Sequence, residues 1–280
     1  MCKTAIALGT FDGLHKGHIS VLNAALKSGF PAVCITFNMP PKAYFNKEIK
    51  LLMEGKEKTE CLTELGFTAV NELDFAAVKD VSPLDFLNKI KEKYNPAVIC
   101  CGNNYRFGKD AAGDVEYLKK YCQNNNIKLV SVLPVTINGA EISSTQIRAL
   151  ISEGNVSKAN SLCCKPFSFC GEIIHGDARG RTIGFPTVNQ IFPADLTVPK
   201  FGVYKSSVQI CGKIYKGITN IGVRPTFAVN NILAETHIFD FNGEVYGEAA
   251  KITLIDFIRP EKKFSDVNEL VAAIKEDIKK

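Results

Sequence analysis

Tryptophan is absent from the 280 residues, and histidine occurs only four times. No apolar run approaches the roughly 20 residues that a membrane-spanning helix needs, so a transmembrane protein is not expected. Ten cysteines invite a disulfide or zinc reading, yet no Cys-x-x-Cys pair occurs. Cys34, Cys100 and Cys101 instead sit inside apolar, strand-like runs, where a thiol behaves as a small hydrophobe. Low-complexity tracts are missing too. Met1-Cys2-Lys3 leads straight into an apolar segment, which leaves no room for a signal peptide. The expectation is a reduced, cytoplasmic protein without structural zinc. A focused basic patch is also lacking, because the net charge of +5 is spread over faces such as Lys56-Glu57-Lys58. Nucleic acid, a membrane surface and an obligate protein partner are therefore not expected, whereas a mild positive bias suits small anionic ligands.

What is present begins with Gly9-Thr10-Phe11-Asp12-Gly13-Leu14-His15-Lys16-Gly17-His18. The apolar Thr4 to Leu8 before it reads as a buried strand, and Ile19, Leu22 and Leu26 after it share one helical face. The stretch is thus a strand-to-helix turn with two imidazoles at the helix mouth. Free backbone N–H groups and the positive dipole end there make an anion site, and the glycines let a phosphate approach. His15 and His18 could donate to a phosphate oxygen whose charge grows in a transition state. A structural turn and a metal site are the alternatives, but helical zinc pairs are spaced four apart and no third ligand is obvious nearby.

Length and an apolar content of 46% allow two domains with their own cores. Strands and helices alternate through the first half: strands near 31–37, 68–70, 97–101 and 128–132, and helices over 54–65, from Ser82-Pro83 and from about Asp114. That order predicts a doubly wound parallel sheet, with ligands beyond the carboxyl ends of its strands. Two polar clusters fall there. Gly102 to Lys109 follows the fourth strand and offers Asn104, Arg106 and Lys109. Ser143-Ser144-Thr145 follows the fifth and enters a helix carrying Arg148 in its first turn. A plain serine N-cap explains the hydroxyls, but an arginine so early in a helix is unfavourable unless an anion offsets it.

After Cys163-Cys164-Lys165-Pro166 helical periodicity stops, and a domain boundary is expected at 163/164. Short segments at 167–174, 202–210, 213–219, 234–241 and 251–258 read as strands of a small antiparallel barrel. Gly212 and Asn242-Gly243 are expected hairpin turns, and a final helix capped by Ser265 closes the chain. Within this half lies Gly176-Asp177-Ala178-Arg179-Gly180-Arg181-Thr182-Ile183-Gly184-Phe185-Pro186-Thr187-Val188-Asn189. Its glycines and arginines can wrap a polyphosphate, although the Gly-Lys-Ser/Thr ending of a Walker loop is absent. Thr187 and Asn189 put two neutral oxygens on one side of an extended segment, a plausible magnesium shell when phosphates supply further ligands.

The Gly-Thr-Phe-Asp-Gly-x-His-x-Gly-His run resembles the HxGH signature of the nucleotidylyltransferases. With its flanks it resembles the adenylyltransferase half of bacterial bifunctional riboflavin kinase/FAD synthetases. Gly102 to Gly108 and Ser143 to Arg148 resemble that family's Gly-x-Asn-[Phe/Tyr]-x-Phe-Gly loop and Ser-Ser-Thr-x-x-Arg helix start, in matching order. The Gly176 to Asn189 run is similar to its riboflavin kinase signature. Asn220 to Phe227, Glu235 to Ile238, Arg259 and Lys263-Phe264 follow in family order. Met39 and Asn103 depart from the family, which commonly has a histidine and an acidic residue there.

The resemblance implies an α/β chain. A Rossmann-like FMN adenylyltransferase domain would occupy residues 1–163, and a β-barrel riboflavin kinase domain with a C-terminal helix residues 164–280. It implies that Gly9, Phe11, Asn104, Ser144, Thr145 and Arg148 contact nucleotide or flavin, with His15 and His18 acting on the α-phosphoryl group. It further implies that Gly176, Arg181, Gly184 and Arg259 bind substrate, that Thr187 and Asn189 hold Mg²⁺ with ATP, and that Glu235 is the base. Riboflavin, FMN, FAD and ATP would be the small-molecule partners. A chain with one working half, or a flavin-binding regulator, is the alternative, and intact His15, His18, Asn189 and Glu235 argue against both.

Overall fold

A computed structural model describes residues 2–137, 139–176, 180, 183–223 and 232–279. The chain divides into two compact units, Met1–Ser144 and Thr145–Lys280.

The first unit is built on β1 (Thr4–Leu8), α1 (Lys16–Leu26), β2 (Ala32–Phe37), α2 (Pro41–Phe45), α3 (Gly55–Glu64), β3 (Ala69–Leu73), α4 (Phe75–Val78), α5 (Pro83–Tyr94), β4 (Pro96–Gly102), α6 (Val115–Asn124) and β5 (Lys128–Val132). A two-stranded ribbon follows, β6 (Thr136–Ile137) with β7 (Ala140–Glu141). The five long strands form one parallel sheet in the order β3-β2-β1-β4-β5. Burial on both faces explains why β1 is apolar throughout rather than alternating. Ala5 and Ala7 face one core with Leu22, Ala25 and Leu62, while Ile6 and Leu8 face the other with Leu87, Ile90 and Leu118.

Local sequence sets the helix starts. Ser82 caps α5 by accepting from the Asp85 N–H at 3.1 Å, with Pro83 in the first turn, and Asp114 caps α6 through the Tyr117 N–H at 2.8 Å. The strand order reverses between β1 and β4. The carboxyl end of β1 therefore opens onto the switch point, where such sheets leave a ligand crevice.

The second unit begins with α7 (Ser144–Ser152) and α8 (Val156–Leu162). Then come β8 (Ser168–Glu172), β9 (Thr187–Ile191), β10 (Gly202–Ile210), β11 (Lys213–Val223), β12 (Ile232–Ile238), β13 (Ala249–Arg259) and α9 (Val267–Lys279). The strands make a curled antiparallel sheet, a half-barrel ordered β8-β13-β10-β11-β12-β9. Two links draw its edge strands together. The Ile174 N–H donates to the Asn189 carbonyl at 2.8 Å, and the buried Gln190 amide donates to Gly171 O and Ala250 O at 2.6 and 2.8 Å. Inside, the buried hydroxyls of Ser206, Thr219 and Thr236 satisfy one another at 2.8 and 2.9 Å among Tyr204, Val208 and Leu254.

Two local expectations are corrected. Asn242-Gly243 is not a tight hairpin turn: β12 pairs with β11 and β9, so the chain from β12 to β13 crosses to a strand it does not pair with. The Gly212 turn does form, with Cys211 and Gly212 at φ 49° and 73° joining β10 to β11. The last helix is capped by Asp266, whose Oδ1 accepts from the N–H groups of Asn268 and Glu269; Ser265 instead donates to the Glu269 carboxylate.

Between the two halves, α7 and α8 group with the half-barrel. The Lys200 N–H donates to Ile151 O, Ser152 Oγ to Val198 O, and Asn160 Nδ2 to Leu254 O, while Asn160 Oδ1 accepts from the Phe167 N–H.

Candidate functional site

At the end of β1 the chain makes a strained turn. Phe11 and Leu14 take φ of 50° and 40°, in the left-handed region that side chains disfavour, and Gly13 takes 80°. Contacts hold the strain in place. Phe11 and Leu14 are buried, Asp12 Oδ1 accepts from the Leu52 N–H at 2.9 Å, and Thr36 Oγ1 donates to Thr10 O at 2.6 Å. Ser144 joins this turn by donating from Oγ to Asp12 O at 3.1 Å. A Cβ at Gly9 would meet the Phe11 ring at 2.7 Å, so that glycine is a packing requirement.

The turn delivers His15 to the N-cap of α1. Its Nδ1 accepts from the His18 N–H at 3.3 Å, which leaves the proton of the neutral ring on Nε2. Burial drives the His15 pKa down to about 4, so the ring is neutral at physiological pH. The His18 ring stacks on it with centroids 3.6 Å apart and planes 22° apart, and Phe11 meets His18 edge-on. Gly17 between them is explained by the same stack, since a Cβ there would sit 3.1 Å from His15 Cε1 and Nδ1. The sequence did not reveal that constraint.

The loop after β4 returns to the sheet through the Asn103 N–H, which donates to Val132 O at 3.0 Å. Asn104 is exposed, and Tyr105 is half-buried, with its phenol pKa raised by desolvation. Beside them lies a cleft of about 570 Å³ reached by Asn103, Asn104, Arg106, Lys119 and Ser131. Arg106 pairs with Asp114 across it at 3.5 Å. Neither histidine lines this cleft. Thr145 and Arg148 belong to the second unit.

In the half-barrel, β9 and β12 set the second group. Asn189 lies opposite Glu235 and Thr187 opposite His237, so these four side chains share one face, while Val188, Gln190 and Thr236 point to the other. Asn220 of β11 extends the row beyond Glu235. A Cβ at Gly176 would run into the Asn189 amide, and one at Gly180 would lie 3.4 Å from Thr187 Oγ1. Gly176 therefore cradles one expected metal ligand, Asn189, whereas a Cβ at Gly180 would first strike the Phe185 carbonyl oxygen. Gly184 has φ of 84° and open space around it.

The donor set fits a hard divalent cation, since Thr187 and Asn189 offer neutral oxygens and Glu235 a carboxylate. Among the described residues no group of three His, Cys, Asp or Glu side chains is arranged to hold a metal. An ion here would draw most of its ligands from substrate phosphate and water. Arg181, with Asp177, Arg179 and Thr182 of the same motif and Arg224 to Phe227, lies outside the described residues.

Arg259 is tied to the last helix. Its Nε donates to both Asp277 oxygens at 2.9 and 3.2 Å and its terminal nitrogen lies 2.8 Å from Oδ2, pinning α9 to β13. No sequence spacing pointed to that partner.

The FAD synthetase family model matches residues 1–146 and the riboflavin kinase model residues 163–280. A "Bifunctional riboflavin kinase/FMN adenylyltransferase" of Listeria monocytogenes is 34% identical over 97% of this chain and 89% of its own length. Its namesake in Escherichia coli K12 is 32% identical over 97% and 90%. The chain belongs to the bifunctional riboflavin kinase/FMN adenylyltransferase family. One unit carries the FAD synthetase domain and the other the riboflavin kinase domain, and enzymes of both kinds use ATP. A crystal structure from Streptococcus pneumoniae described as a macrolide-efflux protein superposes with a TM-score of 0.91 at 33% identity, covering 99% of this chain and 93% of that one. No helix among the described residues is long and apolar enough to cross a membrane.

Proposed function

We propose that the chain makes FAD from riboflavin in two ATP-dependent steps, the adenylyl step run by residues 1–163 and the kinase step by residues 164–280. The observation that carries this reading is convergence within each unit. His15, His18 and Ser144 meet at the α1 turn, and Thr187, Asn189 and Glu235 share one face of the β9–β12 ladder.

In the kinase step Glu235 takes the proton of the riboflavin 5′-hydroxyl as that oxygen attacks the ATP γ-phosphorus, giving FMN and ADP. Thr187 and Asn189 would hold Mg²⁺, which neutralises phosphate charge when bound. The Gly176 to Gly184 loop, with Arg181, wraps the phosphates. Arg259 binds substrate while its ion pair holds α9 in place.

In the adenylyl step the FMN phosphate attacks the ATP α-phosphorus and pyrophosphate leaves. Neutral His15 donates from Nε2 to the α-phosphoryl oxygens, with His18 stacked beside it. Gly9 and Phe11 shape the turn, while Asn104, Ser144, Thr145 and Arg148 bind nucleotide and flavin. Positioning and charge neutralisation carry both steps. We place the functional boundary at 163/164 and the enzyme in the cytoplasm, acting on small molecules without an obligate protein partner. Incubation with riboflavin, Mg²⁺ and ATP, followed by chromatography of the flavins, tests the reading. FMN followed by FAD is expected; FMN alone, FAD only from supplied FMN, or neither product would overturn the corresponding half.

A further inference from the structure

His237 stands opposite Thr187 at the open end of the β9–β12 ladder, two residues along from Glu235. Beyond Thr187 the ladder runs out, because Pro186 has no N–H to give. The Pro186 carbonyl is nevertheless held: His237 Nδ1 lies 2.8 Å from it. A carbonyl oxygen only accepts, so Nδ1 must carry the proton and donate. The ring is fixed on its other sides too, with Phe185 edge-on at 5.4 Å and Phe239 tilted at 5.6 Å. Phe185 is tied back in turn, its N–H donating to Gly180 O at 2.8 Å. A side chain of β12 thus completes the hydrogen bonding at the start of β9. It does so through the peptide that joins Pro186 to Thr187.

We propose that His237 is a positioning residue of the kinase half: its Nδ1–H fixes the Pro186 carbonyl and so aims the Thr187 hydroxyl. The inference rests on the role given above to Thr187. Rotation of the Pro186–Thr187 peptide swings Thr187 Oγ1 away from Asn189 and Glu235, and the paired register of β9 with β12 ends at Thr187. Outer partners that orient a metal ligand typically matter on the order of 10–100-fold in affinity or activity.

The two ring nitrogens can be mimicked separately. The amide nitrogen of His237→Asn falls near the place of Nδ1, and that of His237→Gln near the place of Nε2. All variants are made in the full chain. Two readouts apply: kinase kcat and KM for MgATP, and calorimetric binding of ADP with and without Mg²⁺. Riboflavin fluorescence quenching reports that the half-barrel is folded, and FAD formation from supplied FMN monitors the other half.

His237→Asn should stay within about threefold of wild type in kinase activity and in the gain that Mg²⁺ gives to ADP binding. His237→Gln and His237→Ala should lose on the order of tenfold or more in both. Wild-type behaviour in all three overturns the proposal, and so does equal impairment in all three, which would assign the effect to the ring or to Nε2. Failure of His237→Ala to quench riboflavin leaves the Asn-to-Gln comparison to decide. Thr187→Ala separates the two levels. If it leaves the Mg²⁺ dependence intact, the role of Thr187 fails; if it removes that dependence while His237→Gln does not, the His237 proposal alone fails.

Discussion

Asn189 and Glu235 stand directly opposite one another across the antiparallel β9–β12 ladder, although 46 positions separate them in the chain. Directly opposed side chains on one face have Cβ atoms about 5 Å apart, close enough for one to hold a cation on the ATP phosphates while the other reaches the riboflavin hydroxyl that attacks them.

Glu235→Gln keeps the shape and hydrogen bonding of that position but removes the base. Kinase turnover should fall ~10²–10⁴-fold, while FAD formation from supplied FMN remains. Turnover of both substrates followed by chromatography checks it. Near-normal FMN formation would leave the kinase step to metal and positioning alone.

His15 gives a prediction in pH. Burial lowers its pKa from 6.5 to about 4, so the folded state binds this proton less readily than the unfolded one. Stability from this group is complete above about pH 6.5 and is lost as pH falls towards 4, a total of about 3 kcal/mol. Denaturant unfolding of the first unit should therefore weaken over that window, and His15→Ala, which removes the ring and its Nε2 donor, should flatten the slope. The same variant should cut FAD formation on the order of a hundredfold without affecting FMN formation. An unchanged pH slope would mean that His15 is not buried as a neutral ring.

What the sequence made legible was local, and what it hid was non-local. The His15 turn could be read because a buried strand, a glycine-rich turn and an amphipathic helix are all adjacent in the chain. The helix starts at Ser82-Pro83 and near Asp114 could be read for the same reason. The opposition of Asn189 to Glu235 could not be read, since nothing in either segment names its neighbour. Asn242-Gly243 misled because a turn-forming pair does not say which strands it joins. The tie from Arg259 to Asp277, and the demand that His15 makes on Gly17, likewise arise only when folding brings the partners together.

Gly176→Ala tests the cradle. The added methyl group would collide with the Asn189 amide, the mobile end of a side chain, so the fold can survive while Asn189 swings aside. A displacement of about 1 Å at a positioning group can cost on the order of 10²-fold, and a loss of tenfold or more in kinase activity is expected. The melting temperature should change little. A stable, fully active Gly176→Ala enzyme would show that Asn189 is not needed in its observed place.

The last prediction concerns where the kinase half begins. The family match starts at residue 163, but α7 and α8 are bonded to the half-barrel at several points. Asn160 alone bridges the Phe167 N–H and Leu254 O, joining the entry to β8 with β13, and Val156, Ala159 and Leu162 are buried. A fragment of residues 165–280 retains Thr187, Asn189, Glu235 and His237 and should still make FMN and no FAD. It loses the apolar face of α8 and both Asn160 bonds. If each lost hydrogen bond costs about 1 kcal/mol and each buried aliphatic side chain about 2 kcal/mol, a large share of a small domain's stability disappears. A fragment of residues 145–280 should therefore melt well above the shorter one while matching its turnover at low temperature. Equal melting temperatures would show that the two helices do not stabilise the kinase half. FAD from either fragment would refute the assignment of the adenylyl step to the first unit.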